Sequence, residues 1–227
     1  MFHINIFGSQ GVLVNKVSIS APANSPNTDG IHIGYSDNIR ITDSGIATGD
    51  DCVSMVDGCT NINITGVSCG PGHGISIGSL GKYSRDKDVS GITVMNSSFT
   101  NTDNGLRIKT LAPSSPSIAS NITFAHIFIN NARNPIIVDQ HYCPNSSCPN
   151  QGESSVQIKG VKFIDIRGSS ASPVAVNVQC SKSKPCQDIV FSGLNITYNG
   201  KPTTASCSNC DDQFQGDLQV PSNCSST

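Results

Sequence analysis

The sequence has no tryptophan, few aromatic residues and few charges. Of its 227 residues, 5% are aromatic and 13% are charged, and the formal net charge is −2. Nucleic acids require a basic surface, so we expect no nucleic-acid partner. No apolar run approaches the roughly eighteen residues that a membrane-spanning helix needs, so we also expect no membrane insertion. No long segment follows the 3.6-residue helical period, which argues against a helix bundle.

Cysteine, in contrast, is abundant. Ten cysteines in this length indicate an oxidising compartment. They do not fit a zinc site, because the pair Cys207 and Cys210 has neither a second pair nor a histidine nearby. Acceptor sequences for N-glycosylation occur at Asn63, Asn96, Asn121, Asn145, Asn195 and Asn223. We therefore predict a secreted, extracellular protein, although residues 1–7 alternate polar and apolar and do not resemble a signal peptide.

Short segments with alternating Ile or Val recur in a fixed order. One set reads NKVSIS, DNIRIT, TNINIT, SGITVM, SNITFA, SSVQIK and QDIVFS, and a second set reads DGIHI, DCVSM, HGISI, GLRIK, PIIVD and PVAVN. Such alternation is typical of half-buried strands. Hairpin turn dipeptides are not systematic, so the repeats predict a parallel β-helix rather than a sandwich or propeller. We expect it to span residues 1–205, followed by an irregular, disulfide-stapled cap over 206–227.

Stacked coils bring chemically active side chains together. The position two residues before the first apolar residue of each second strand holds Asp or His in three successive coils, and coils are spaced by about 4.8 Å. The residues in or beside this column are Asp29, Asp50, Asp51, His73, Asp103, Arg107 and Lys109. Crowded carboxylates repel one another, which raises at least one pKa and keeps a carboxyl available as a general acid. This cluster predicts an active site.

Four motifs occur in order along the chain: SPNTDG at 25–30, GDDC at 49–52, GHG at 72–74 and RIK at 107–109. The set resembles the signature motifs of the polygalacturonases over essentially the whole chain. The wider wording, CGPGHGISIGSLGKY and NTDNGLRIKT, is most similar to plant enzymes of the pollen type, the exopolygalacturonases. The resemblance implies an all-β, right-handed parallel β-helix. It also implies exo-acting hydrolysis of α-1,4-linked galacturonic acid in pectin, by a monomer without metal or cofactor.

The resemblance further implies roles for the acidic residues. Asp50 would protonate the glycosidic oxygen, Asp29 and Asp51 would hold and deprotonate the attacking water, and His73 would orient or tune the acid. A glycosidase needs such an acid and a water-activating carboxylate on opposite sides of the scissile bond. Inversion rests on the resemblance alone, since carboxylates about 5 Å apart are usually associated with retention.

The implied substrate-binding residues are Arg107, Lys109 and Tyr142. A polyuronate needs fixed cations, and the guanidinium of Arg107 suits bidentate binding of a carboxylate.

The chain also departs from the family. Family members carry a signal peptide and further coils before the stretch that matches Met1, so we expect an N-terminally truncated chain of uncertain activity. The resemblance suggests the disulfides Cys52–Cys69, Cys143–Cys148 and Cys180–Cys186, with Cys224 pairing to Cys207 or Cys210. Cys59 and one tail cysteine are then left over.

Two other classes of function fit the pattern. One is a non-catalytic, allergen-like β-helix that binds pectin and releases no reducing sugar. The other is a calcium-dependent pectate lyase, whose stacked Asp residues hold calcium, whose products absorb in the ultraviolet and whose activity chelators abolish. The combined GDD, GHG and RIK motifs favour hydrolysis.

Overall fold

The computed structural model describes residues 1–144 and 152–215, and every named element in these ranges is a β-strand. The strands form one sheet of eight, in the order Ile4–Phe7, Ile31–Gly34, Val53–Met55, Ile75–Leu80, Asn104–Leu111, Asn134–Tyr142, Val174–Gln179 and Thr204–Ser208, and one sheet of thirteen. Neighbouring strands pair in parallel, except that Thr197 and Tyr198 pair antiparallel with Pro202 and Lys201. The chain is a right-handed parallel β-helix, as predicted. In the described ranges no helix is long and apolar enough to cross a membrane.

The strands are β1 (Ile4–Phe7), β2 (Leu13–Asn15), β3 (Ser18–Ser20), β4 (Ile31–Gly34), β5 (Asp37–Thr42), β6 (Gly45–Ala47), β7 (Val53–Met55), β8 (Thr60–Thr65), β9 (Ser68–Cys69), β10 (Ile75–Leu80), β11 (Val89–Met95), β12 (Ser98–Thr100), β13 (Asn104–Leu111), β14 (Ser117–Ala132), β15 (Asn134–Tyr142), β16 (Val156–Ser170), β17 (Val174–Gln179), β18 (Cys186–Tyr198), β19 (Lys201–Pro202), β20 (Thr204–Ser208) and β21 (Cys210–Gln215).

The predicted alignment of the second strands is correct through five coils and wrong in the next. The first apolar residues of β4, β7, β10, β13 and β15 are in register, as predicted. In β17, however, Val176 rather than Val174 pairs with Ile136. A shift of two residues leaves the alternation unchanged, so the pattern alone does not distinguish these valines. The sequence alignment also stacks Ser172, two residues before Val174, on the position that holds the acids in earlier coils. Because β17 is shifted, Ser172 is out of register with the site.

Two of the first strands are also misplaced in the sequence-based alignment. Val161, not Val156, pairs with Ile122, because β16 begins before the corner at Gly160 rather than after it. At the other end of the solenoid, Val17 lies beyond β2, the strand that pairs with β5. The predicted segment NKVSIS corresponds to β3 instead. The short strands β6, β9 and β12 were not predicted, because two or three residues are too few to show alternation.

One corner of the solenoid requires a left-handed backbone in every coil. The residue before the apolar run of each first strand has φ between about 50° and 73°, in the order Gly11, Asn38, Asn61, Gly91, Asn121, Gly160 and Asp188. Glycine, asparagine and aspartate adopt this conformation at least cost, which accounts for much of their abundance. Four predicted glycosylation acceptors, Asn63, Asn96, Asn121 and Asn195, are exposed. The acceptors Asn145 and Asn223 lie outside the described residues.

The disulfides Cys52–Cys69 and Cys180–Cys186 form as predicted. Cys143 and Cys207 are also disulfide-bonded, and their predicted partners, Cys148 and Cys224, lie outside the described residues. Cys59 is a free, buried thiol, and the second free cysteine is Cys210.

The predicted cap is more regular than expected where it is described. Strands β20 and β21 continue both sheets across residue 206, since β20 pairs with β17 and β21 with β18. Residues 216–227 lie outside the described ranges, so a separate cap stays a prediction.

Stacked identical side chains fill the core. Phe124, Phe163, Phe191 and Phe214 lie in successive coils with ring centroids 5.1, 5.1 and 4.6 Å apart. The first three are fully buried. Each ring covers the faces of its neighbours, so the column stabilises the contact between coils as well as the core.

Replacing the ring in the middle of this column tests its contribution. We expect Phe163→Ala to lower the free energy of unfolding by about 3–5 kcal/mol, because the cavity removes contacts with two neighbouring rings. Urea unfolding followed by circular dichroism measures the change. Phe128→Ala is the matched control, since Phe128 is 51% exposed, and we expect it to stay within about 0.5 kcal/mol of the parent. Equal losses for both variants would contradict the role of the column.

Candidate active site

An open cleft of about 590 Å³ lies on the eight-stranded sheet and contains every predicted site residue. Its lining includes Asp29, Asp50, Asp51, His73, Arg107, Lys109 and Tyr142. The acids and His73 immediately precede the strands β4, β7 and β10, whereas Arg107 and Lys109 lie within β13. Parallel register therefore brings together residues from four coils. The backbone next to His73 needs glycine at position 74, which has a φ of +87° and where a Cβ would overlap the carbonyl oxygen of Asn104.

Asp51 is the most enclosed acid of the cleft. Its Oδ1 accepts hydrogen bonds from Arg107 Nη2 at 2.6 Å and from Ser76 Oγ at 2.8 Å. Its Oδ2 accepts from Lys109 Nζ at 3.0 Å. The side chains of Asp51, Arg107 and Lys109 are only 3%, 11% and 9% exposed. Two cations and a hydroxyl thus satisfy the hydrogen-bonding capacity of one buried carboxyl group.

Asp29 is held differently, without a cation. Its Oδ2 accepts a hydrogen bond from Ser54 Oγ at 2.6 Å, and Ser54 Oγ lies 2.7 Å from His32 Nδ1. Ser54 lies one coil below Asp29, just as Ser76 lies one coil below Asp51. Each serine therefore orients the acid of the preceding coil.

Asp50 forms a pair with His73. Its Oδ1 lies 3.0 Å from His73 Nδ1 and accepts the backbone N–H of Asp51 at 2.8 Å. On the other side of the ring, His73 Nε2 lies 3.4 Å from Asp103 Oδ2. The Asp50 side chain is 20% exposed toward the cleft. The sequence alignment stacks His73 under Asp51, but its imidazole contacts Asp50, because the two consecutive aspartates point in different directions.

The environments shift the three pKa values in different directions. Burial raises the pKa of Asp29; the hydrogen bond from Ser54 opposes the rise, and the charges of Asp51 and Asp50 add to it. Burial also acts to raise the pKa of Asp50, but the hydrogen bond and charge of His73 outweigh it, so the pKa falls below the usual range. The bond to Asp50 raises the pKa of His73 more than burial lowers it.

These directions correct one expectation. One clustered carboxyl does have a raised pKa, but it is Asp29 and not the predicted acid, Asp50. Repulsion at Asp50 is outweighed because His73 lies in hydrogen-bonding contact. The opposite shifts of Asp50 and His73 mean that their contact favours a carboxylate beside an imidazolium.

A family model described as Glycosyl hydrolases family 28 matches residues 1–222. The chain belongs to this family. The chain is 46% identical over 223 residues to an exopolygalacturonase of Platanus acerifolia. The match covers 97% of the chain and 59% of that relative. A polygalacturonase of Prunus persica is 48% identical over 225 residues, covering 99% of the chain and 57% of the relative. The chain thus spans little more than half the length of these relatives.

Solved structures with the same fold include a polygalacturonase from Erwinia carotovora, with a TM-score of 0.71 and 27% identity over 93% of the chain and 54% of that protein. An endo-xylogalacturonan hydrolase from Aspergillus tubingensis gives a TM-score of 0.78 at 22% identity, over 95% of the chain and 68% of that protein. At this lower identity the likeness shows the fold alone.

Several residues in and around the cleft were not predicted as site residues from the sequence. The main ones are Ser54, Ser76, Arg133 and Asn134. Ser54 and Ser76 occupy the position after the first apolar residue of their strands, in the same column as Arg107. In the sequence alignment this position forms the column next to the acids. It could therefore have identified Ser54 and Ser76 as hydrogen-bond partners of those acids.

The distances alone would permit a metal ion. Asp50, Asp51 and His73 present ligand atoms within 4.8 Å of one another. However, both oxygens of Asp51 already bind the cations of Arg107 and Lys109. A divalent ion there would face two fixed positive charges, whereas calcium sites are built from oxygen ligands. The donor set favours proton chemistry over calcium binding.

The buried ion pairs also predict a stability effect. We expect Lys109→Met to destabilise the fold by on the order of 2 kcal/mol, because Asp51 then stays buried with one cation fewer. Lys109→Met/Asp51→Asn should recover part of this loss. Chemical unfolding of both variants, with Lys162→Met on the exposed face of β16 as the control, measures the effect. The interpretation fails if Lys109→Met unfolds at the same denaturant concentration as the parent.

Proposed function

We propose that the chain hydrolyses α-1,4-galacturonosyl linkages of polygalacturonate by acid–base catalysis. The main support is the division of the cleft into a hydrogen-bonded pair, Asp50 and His73, and a carboxyl group, Asp51, that Arg107 and Lys109 hold in place. A glycosidase needs one acid and one water-activating carboxylate. The plant relatives named exopolygalacturonase support exo action.

The proton comes from the Asp50–His73 pair. Asp50 is the more accessible of the two adjacent aspartates, and its Oδ2 has no hydrogen-bond partner within the described residues. In the mechanism, His73 passes its Nδ1 proton to Asp50, Asp50 protonates the glycosidic oxygen, and the pair is left as a neutral imidazole beside a carboxylate.

Water is activated by Asp29 and Asp51. Asp51 is held by hydrogen bonds from Arg107, Ser76 and Lys109, which suits the orientation of a water molecule. Asp29 has a raised pKa, and a base with a higher pKa accepts a proton more strongly once it is ionised. The two residues share the tasks of holding and deprotonating the nucleophile, and the inverted product follows from attack opposite to Asp50.

Arg107, Lys109 and Tyr142 bind the sugar carboxylate. Lys109 Nζ lies 5.2 Å from the centre of the Tyr142 ring and uses one of its three donor hydrogens on Asp51. Arg107 uses Nε on Ser76 and Nη2 on Asp51, so Nη1 stays available. Both cations therefore retain donors for the substrate while they hold Asp51.

The disulfides and the exposed glycosylation acceptors support a secreted protein, for which we propose a location in the cell wall. The alternatives differ in a measurable product. A lyase forms unsaturated ends and needs calcium, and a pectin-binding β-helix without activity forms no product.

The decisive assay compares the parent with Asp50→Asn on polygalacturonate. We expect the parent to release galacturonate as new reducing ends, with no rise in ultraviolet absorbance and no loss in a chelator. Asp50→Asn should lose at least about a hundredfold in kcat, the usual contribution of a positioned general acid, with little change in affinity. Asp165→Asn is the matched control, since its carboxylate pairs with His126 at 2.9 Å outside the cleft.

Activity of Asp50→Asn within tenfold of the parent would remove Asp50 from the acid role. Unsaturated products or chelator sensitivity would instead establish a lyase, and a parent that binds polygalacturonate without turnover would support the non-catalytic alternative.

The pKa directions also define the pH dependence. Asp29 acts as a base only above its raised pKa, and the Asp50–His73 pair keeps its proton only below the raised pKa of His73. We expect a bell-shaped profile of kcat/KM, with an acid limb above about pH 3.9 and an alkaline limb above about pH 6.5, the unperturbed values for Asp and His. His73→Gln should move the alkaline limb to lower pH. A rate that still rises in alkali, or limbs unaffected by His73→Gln, would contradict this assignment.

A further inference from the structure

The cations that line the cleft differ in whether they form ion pairs with the protein's own carboxylates. Arg107 and Lys109 both bind Asp51, and their side chains are nearly buried. A third cation, Arg133, lines the same cleft, is exposed, and forms no ion pair with any described residue. Its guanidinium is therefore the uncommitted fixed charge in the described lining of a cleft that also holds four aspartates.

The backbone fixes where Arg133 lies. Its N–H donates to Thr102 O at 3.0 Å, and the N–H of the next residue, Asn134, donates to Asp103 O at 2.9 Å. Arg133 thus follows Asp103 in the next coil, and Asp103 follows His73. The column that begins with Asp50 and His73 continues to Arg133 in steps of about 4.8 Å.

The backbone of Arg133 is separated from that of the other cations. Asp103 and Arg107 are four residues apart on one extended segment, which corresponds to about 13 Å between their Cα atoms. Arg133 lies one coil beyond Asp103 and before β15. Arg107 and Lys109 reach Asp51 from within β13, so the two groups of cations approach the cleft from different parts of the backbone.

The surroundings of Arg133 are ordered for binding. The amide of Asn134 donates to Asn104 Oδ1 at 3.1 Å, and the amide of Asn104 donates to the carbonyl of His73 at 3.3 Å. These two hydrogen bonds hold Asn104 and Asn134 in place between the Asp50–His73 pair and Arg133. Asp103 faces His73 at 3.4 Å instead of pairing with Arg133, so the guanidinium keeps its donors for another partner.

We propose that Arg133 binds the carboxylate of a second galacturonate residue, on the other side of the scissile bond from the sugar held by Arg107 and Lys109. The inference rests on the proposed function, since it extends the same cleft. It implies that the enzyme selects two unesterified sugars around the bond, because a methyl ester offers no negative charge to the guanidinium.

The test is Arg133→Gln, with trigalacturonate and its methyl ester as probes. We expect KM for trigalacturonate to rise about tenfold, as loss of one partly exposed charge-assisted contact implies, with kcat within about twofold. Preference for the free acid over the ester should fall by a similar factor. Arg133→Lys, which keeps the charge but not the planar fork, should give an intermediate KM. Arg40→Gln, an exposed arginine on β5, is the matched control and should match the parent.

Binding measured by calorimetry separates this inference from the proposed function. If the parent binds trigalacturonate without hydrolysing it and Arg133→Gln weakens binding, the proposed function fails and the role of Arg133 stands. If the parent hydrolyses and Arg133→Gln binds both probes as the parent does, the inference is overturned alone. A parent that neither binds nor hydrolyses overturns both, and an equal loss for acid and ester shows a merely structural role.

Discussion

The cleft depends on the burial of one carboxylate between two cations from a neighbouring part of the sheet. Asp51 precedes β7, whereas Arg107 and Lys109 belong to β13, two coils away. A slip of one residue between β10 and β13 would turn both cations to the opposite face and leave Asp51 buried without compensation. The ion pairs therefore specify the register of the solenoid at the point where the site requires it, and the catalytic geometry and the coil stacking stabilise each other.

The ion pairs of Asp51 also determine which partners remain for the other acids. Because Asp51 binds both Arg107 and Lys109, Asp29 and Asp50 have weaker partners. Asp29 has only the hydroxyl of Ser54 against the cost of burial, and its pKa rises. Asp50 has the imidazole of His73, and its pKa falls. Asp29 and Asp50, two chemically identical side chains, thus acquire opposite shifts of pKa from their partners, and the proposed division into an acid and a base rests on such differences.

The sequence was sufficient to predict the fold and the residues that line the cleft. It was not sufficient to predict the directions of their side chains. Period-two alternation and coil stacking sufficed to bring residues from Asp29 to Lys109 into one cleft. The alternation did not distinguish Val174 from Val176, because a shift of two residues preserves it. Nor did it show that His73 contacts Asp50 rather than Asp51, since backbone register does not set the direction of two consecutive side chains. The pKa of Asp50 depends on that contact, so its direction was wrong as well.

The charge balance of the cleft bears on the proposed function. In the described lining, four aspartates face three fixed cations, so the cleft has no large positive field to attract a polyanion. Recognition of the proposed polyuronate then rests on local pairs, with each sugar carboxylate next to a cation that retains free donors. In that proposal, a bound carboxylate adds negative charge near the Asp50–His73 pair, which raises the proton affinity of the pair. The proposed substrate thus extends to higher pH the range in which the pair holds its proton, whereas a neutral glycan leaves that range unchanged.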